Sequence, residues 1–234
     1  MRLSLIEIIP HFPACRIAAV TLQGGRITPE RPPALASHVR DREAAARAAF
    51  AGLELSQIPG VAAWRSAYRG FGVKRTSYRS SVERLVKRVL AGAALPAING
   101  FVDLYNAVSL EHVLCLGADD LDGVTGDVAF RYSRPGDTFR DMGAAEGEDP
   151  DDPPKSGEVV YADADHVLCR RWNWRQDART AVTPHTRRVL VTVQSHGWGD
   201  VETAVERLAR MAADHFGMSA RVAIADASRP VVDL

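Results

Sequence analysis

The sequence predicts an α+β fold, a single domain in which a mixed or antiparallel sheet is packed by helices. Three observations carry that expectation. β-rich runs bounded by turn residues occur at both ends of the chain, helical periodicities fill much of its first half, and no internal repeat or linker divides it. With 234 residues, 46% of them hydrophobic and 25% charged, the chain is long enough to bury a sizeable core.

Residues 2–9 and 15–21 are β-rich runs joined by the proline-bounded segment 10–13. An alanine-rich helix is expected over 41–53, and a second helix start near Pro59. Ser80 followed by Glu83 reads as a capping box, and Val82, Leu85, Val86, Val89 and Leu90 recur at helical spacing behind it. Another helix begins around Ile98, where Phe101, Val102, Tyr105 and Val108 share one face. Strands are expected over 127–133, 157–163, 166–172 and 187–195, with a solvated acidic and proline-rich loop over 144–156. Asp200 caps a helix whose stripe of Val201, Val205, Leu208, Ala212 and Phe216 ends at Gly217, ahead of a final strand over 219–226.

Charges break every apolar stretch before about 18 residues, so no membrane span or membrane partner is expected. The start of the chain carries Glu7 inside its apolar run and lacks a cleavage-site pattern, which leads us to expect a cytoplasmic protein. Cys15, Cys115 and Cys169 are widely spaced without a CxxC pair, and the seven histidines include no pair at i, i+4. Neither a metal site nor a cofactor is expected. The GxGxxG, GxxxxGK[ST], HExxH and GxSxG signatures do not occur.

Lysine plus arginine equal aspartate plus glutamate at 29 each, yet the charge is segregated along the chain. Residues 64–92 hold eight cations against Glu83 alone, residues 111–165 hold fifteen acids against four cations, and residues 169–188 hold six arginines against Asp177. Two basic stretches around an acidic one can form a local polyanion patch, or they can neutralise one another within the fold. Lys74, Arg75, Arg84, Lys87, Arg88 and Arg171 are the candidate RNA-binding cations. The run Arg170-Arg171-Trp172-Asn173-Trp174-Arg175 suits a flat anionic ligand by stacking and pairing, or a strand end whose tryptophans complete the core. Asn99, Asp103 and Asn106 are polar positions in an apolar helix start; capping accounts for Asn99 and not for Asn106.

The ordered landmarks LPAINGFVDLYNAVSLE, RPGDTFRDMG, GEVVYAD and T-x-V-T-x-x-T followed by RRVLVTV resemble the B3/B4 domain of the phenylalanyl-tRNA synthetase β subunit, and more closely the free-standing B3/B4 proteins. The resemblance covers about residues 60–195. It implies an α+β editing module and a metal-independent deacylase for mischarged aminoacyl-tRNA, acting on the aminoacylated 3′ end of tRNA and not on DNA. Carried over by position, it puts Asn106 at the family's asparagine, with Tyr105 replacing a threonine. Gly117 stands at the family's histidine, Asp119 at its phenylalanine, and Ala178 at the glutamate that selects a tyrosine hydroxyl. These departures argue against tyrosine as the edited amino acid. The expected roles are Asn106 and Asn173 orienting ester or water, Arg171 and Arg175 holding terminal phosphates, and Trp172 or Trp174 forming the acyl or base wall, with Tyr105, Gly117 and Asp119 lining the pocket. Two alternatives stay open: a non-catalytic tRNA-binding module using the helix at 80–91, and a small-molecule pocket, for which an acidic rim would be diagnostic.

Overall fold

Strand residues divide between two sheets that share one hydrophobic core. The computed structural model describes residues 1–74, 77–145 and 147–234, so Arg75 lies outside the described residues. The smaller sheet is antiparallel throughout, in the order β3 (Cys115–Asp120), β8 (Arg188–His196), β2 (Cys15–Gln23), β9 (Ser219–Ala225). The larger is mixed, in the order β10 (Val231–Asp233), β1 (Arg2–Ser4), β4 (Val128–Tyr132), β5 (Val159–Ala162), β6 (Val167–Arg170), β7 (Arg175–Gln176), because β1 pairs in parallel with β4. The helices are α1 (Pro33–Ala49), α2 (Pro59–Gly70), α3 (Ser81–Leu90), α4 (Gly100–His112) and α5 (Val201–Phe216). The expected α+β class is the observed one.

Alternation decides which core each strand residue joins. On β5, Tyr161 and Val159 enter the main core, while Val160 and Ala162 face the other way with Val167 and Phe139 in a small second cluster. Helix α5 packs on β2, β8 and β9 through the stripe of Val201, Val205, Leu208, Ala212 and Phe216, and Gly217 closes it in the left-handed region at φ 67°.

Several expected boundaries move for identifiable reasons. The strand expected over 2–9 stops at Ser4: Leu5, Ile8 and Phe12 are buried at helical spacing, and the Leu5 carbonyl accepts from the amides of Ile8 and Ile9. The helix expected over 41–53 instead begins at Pro33, whose missing N–H and fixed φ suit a first helical position, and ends at Ala49. Ser80 does accept from the Glu83 amide, but the Glu83 carboxylate turns to Arg65 and Arg79, so only half of the capping box forms. The strand expected over 166–172 ends at Arg170, because Arg171 and Trp172 adopt left-handed φ values of 45° and 69°. Strand β3 was not expected; Gly117 and the paired acids of CLGADD hide its alternation. No helix of the described residues is long and apolar enough to cross a membrane.

Candidate functional site

Helices α3 and α4, strands β3 and β8 and the β6–β7 hairpin surround a pocket of about 740 Å³. Sequence determines each wall locally. Helix α3 buries Val82, Val86 and Val89, which turns Arg84, Lys87 and Arg88 outward to the pocket mouth. The Asn99 carboxamide caps α4 by accepting from the Phe101 and Val102 amides at 3.1 and 2.9 Å. Asp103 anchors the same turn, accepting from the Ile98 amide and from Arg31. Asn106, one turn further on, is half-buried in the pocket wall with Tyr105, and no hydrogen bond from another described residue engages its amide.

The floor comes from the register of β3 against β8. Gly117 pairs with Thr192 and Cys115 with Gln194, so these side chains share the face that Asp119 also occupies. A Cβ at Gly117 would meet only the Thr192 hydroxyl, at 3.9 Å, which leaves the middle of the floor open. Thr192 and Gln194 are polar at alternate positions of a strand otherwise rich in valine and leucine. That spacing was the available signal for them, and sequence reasoning passed over it. Cys169 lines the wall, whereas Cys115 lies wholly buried behind it.

The hairpin places the remaining predicted residues unequally. Trp174 and Arg175 line the pocket. Asn173 also reaches it, with both ends of its amide engaged: Oδ1 accepts from Tyr68 at 2.9 Å, and Nδ2 donates to Gln194 at 3.1 Å. Trp172 stands behind the wall, with no exposed surface, edge-on to Phe12 at 4.9 Å and Trp64 at 5.3 Å. Arg171 is buried as well, paired with Glu158 at 2.9 Å and held between the rings of Tyr78 and Trp174 at 3.8 and 4.4 Å. Neither fits its expected part: Trp172 is core, and Arg171 has its charge satisfied internally. Lys74 is exposed away from the pocket lining.

Electrostatics differ from mouth to floor. Arg79, Arg84, Lys87, Arg88 and Arg175 give the pocket a basic rim, with Asp141 bound to Arg175. The acidic rim diagnostic of a small-molecule alternative is not what the pocket presents. On the floor, Asp119 is 3% exposed and accepts from Thr180 at 2.7 Å and Gln176 at 2.9 Å. Burial pushes its carboxyl up to about 7; those two hydrogen bonds oppose the rise, and the like charges of Asp163 and Asp177 add to it. Burial likewise raises the phenol of Tyr105, with Asp119 contributing. Among the described residues, no group of three or more His, Cys, Asp or Glu side chains is placed to hold a metal ion.

The B3/4 domain family matches residues 63–217, about two thirds of the chain and every wall of the pocket. Among solved structures, an N-terminal fragment of the phenylalanyl-tRNA synthetase β-subunit from Pyrococcus horikoshii is similar at 14% identity with a TM-score of 0.39. That alignment covers 52% of this chain and 41% of the fragment. A comparison with curated proteins finds no match.

Proposed function

The chain belongs to the B3/4 domain family, and from that premise we propose that it hydrolyses mischarged aminoacyl-tRNA in trans, with an amino acid other than tyrosine as its target. One observation carries this reading: Asn106, Trp174 and Arg175 share a single pocket whose mouth holds Arg84, Lys87 and Arg88. The cations suit the phosphates of a tRNA 3′ end, and Trp174 offers a face to the terminal base. The aminoacyl group then reaches toward the open floor at Gly117. Asn106 has the unengaged amide of the pair, so it orients the ester carbonyl or the attacking water. Asn173, held by Tyr68 and Gln194, fixes the floor instead and acts as a positioning residue.

Water adds to the ester carbonyl, and the intermediate collapses to a free amino acid while the ribose oxygen leaves with a proton. Aminoacyl esters are activated, so positioning and polarisation supply enough of the barrier reduction without a metal. The test is a panel of mischarged tRNAs with free amino acid as the readout. Release above the spontaneous rate for at least one member, abolished by Asn106→Ala, is expected; spontaneous rates throughout overturn the hydrolase.

The engaged state of Asn173 favours a second reading, in which the pocket binds charged tRNA without turnover. That reading predicts salt-sensitive tRNA binding that survives Asn106→Ala and fails on reversal of Arg84, Lys87 and Arg88.

A further inference from the structure

Seven carboxylates are buried among the described residues, and six of them face a basic side chain. Glu43, Glu83, Asp103, Glu158 and Asp177 each hold an arginine within 3.6 Å, and Asp163 has His166 at 3.4 Å together with three backbone amides. Asp119 is the exception. Its two hydrogen-bond donors, Gln176 and Thr180, are neutral, and both reach Oδ1. A buried carboxylate without a cation is costly, and proteins ordinarily pair it. Here Oδ2 is left without a described partner, and the residue lines an open pocket.

An independent observation sits beside it. Tyr161 lines the same pocket, is 2% exposed, and its hydroxyl is buried with no hydrogen-bond partner. Its ring is fixed by stacking on Phe130 at 4.6 Å, so the hydroxyl cannot easily turn to another partner. The pocket lining thus offers two oxygens, one of them an acid, near enough that the charge of Asp119 acts on the Tyr161 phenol. A neutral hydroxyl ligand would satisfy hydrogen bonds but leave uncompensated the burial cost of ionising Asp119, which otherwise holds its proton up to about pH 7. A protonated amine satisfies both.

We propose that Asp119 and Tyr161 form an ammonium-binding subsite, which selects acyl groups that carry a protonated amine at the pocket floor. This rests on the proposed use of the pocket for aminoacyl ends. The amine has two possible sources, the α-ammonium common to aminoacyl esters and a side-chain ammonium. The phosphate cations at the mouth and the acid at the floor then orient the ligand end to end. Gln176 is the positioning residue, since it holds Asp119 Oδ1 from β7.

The probes are four non-hydrolysable 3′-amide analogues of aminoacyl-adenosine, titrated calorimetrically against the full chain: norleucyl, lysyl, Nα-acetyl-lysyl and Nα-acetyl-norleucyl. The ammonium-free analogue is expected to bind at least about tenfold more weakly than the best ammonium-bearing one. Preference for norleucyl over its acetylated form identifies the α-amine as the source; preference for Nα-acetyl-lysyl identifies the side chain. Asp119→Asn should erase the discrimination while holding Nα-acetyl-norleucyl within about twofold of its original Kd. Tyr161→Phe, which keeps the carboxylate, should reduce the same discrimination and covers the case in which the first variant does not fold. Equal affinities for all four, equal weakening of all four by either variant, or no binding of any overturns the subsite. Discrimination without deacylation leaves the subsite standing and removes the hydrolase, and deacylation without discrimination does the reverse.

Discussion

The cations at 79–88 and the arginines at 170–179 belong to two elements that meet at one pocket, where the Arg84 guanidinium donates to the Trp174 carbonyl, and their charges are handled differently. On the hairpin side, Arg170 is 1% exposed and pairs with Glu158 and Asp152, Arg171 with Glu158, Arg175 with Asp141 and Arg179 with Asp177. The acidic middle of the chain neutralises the first three, and Asp177 of the same stretch takes Arg179. On the helix side, Glu83 takes Arg65 and Arg79, while Arg84, Lys87 and Arg88 are exposed with no carboxylate partner among the described residues. Equal counts of cation, four in each stretch, thus conceal one set that builds the wall and another that faces solvent at the mouth.

The largest effect expected from breaking this contrast is on the hairpin. Arg170→Ala leaves Glu158 with one arginine in place of two and should cost about 3–5 kcal/mol of stability, read by chemical denaturation. A loss below about 1 kcal/mol would mean that the buried pair is not holding the wall.

Next comes the unpaired acid against the paired one. Asp119 is raised from the ordinary value to about 7, chiefly by burial, so the folded chain keeps its proton while the unfolded chain ionises. Its contribution is full below about pH 4 and is lost as pH rises to about 7, a span of roughly 2–4 kcal/mol. Asp119→Asn should remove that slope, measured as unfolding free energy against pH. Asp177 runs the other way: despite burial, the Arg179 hydrogen bond holds its carboxyl low, and its contribution is lost as pH falls.

A smaller effect separates the two asparagines. Asn173→Ala strips partners from the buried Gln194 and Tyr68 and should cost about 1–3 kcal/mol, whereas Asn106→Ala should change stability by less than about 0.5 kcal/mol. Thermal denaturation of the two variants side by side checks the difference. Reversal of Arg84, Lys87 and Arg88 to glutamate should likewise cost little stability, within about 1 kcal/mol including an adverse effect on the helix dipole. The same reversal should remove tRNA affinity and flatten its salt dependence in a filter-binding titration.

Local signals made much of this legible. The Val82–Val86–Val89 stripe was enough to place α3 and the outward direction of its cations, and a polar residue that capping could not explain marked Asn106 as a wall residue. What stayed hidden depends on long-range pairing. Nothing near Arg171 announces Glu158 as its partner, and Trp172 and Trp174, two residues apart, go to core and pocket because the backbone reverses between them. Strand β3 escaped notice because its pocket face carries a glycine and an acid where a core strand would carry valines.

The reversal at Arg171 and Trp172 has a consequence for how the pocket wall is held together. Two adjacent side-chain-bearing residues in the left-handed region cost roughly 1–2 kcal/mol each, so this hairpin has little tendency to close alone. What holds it shut is Trp172 among aromatic rings from positions 12, 64, 71 and 130, segments distant in the chain. The pocket wall thus depends on distant segments being in place and has no closure of its own. Amide exchange at Trp172 and Trp174, whose N–H groups bond to Val159 and Arg170, should accordingly follow global unfolding and show no independent fraying.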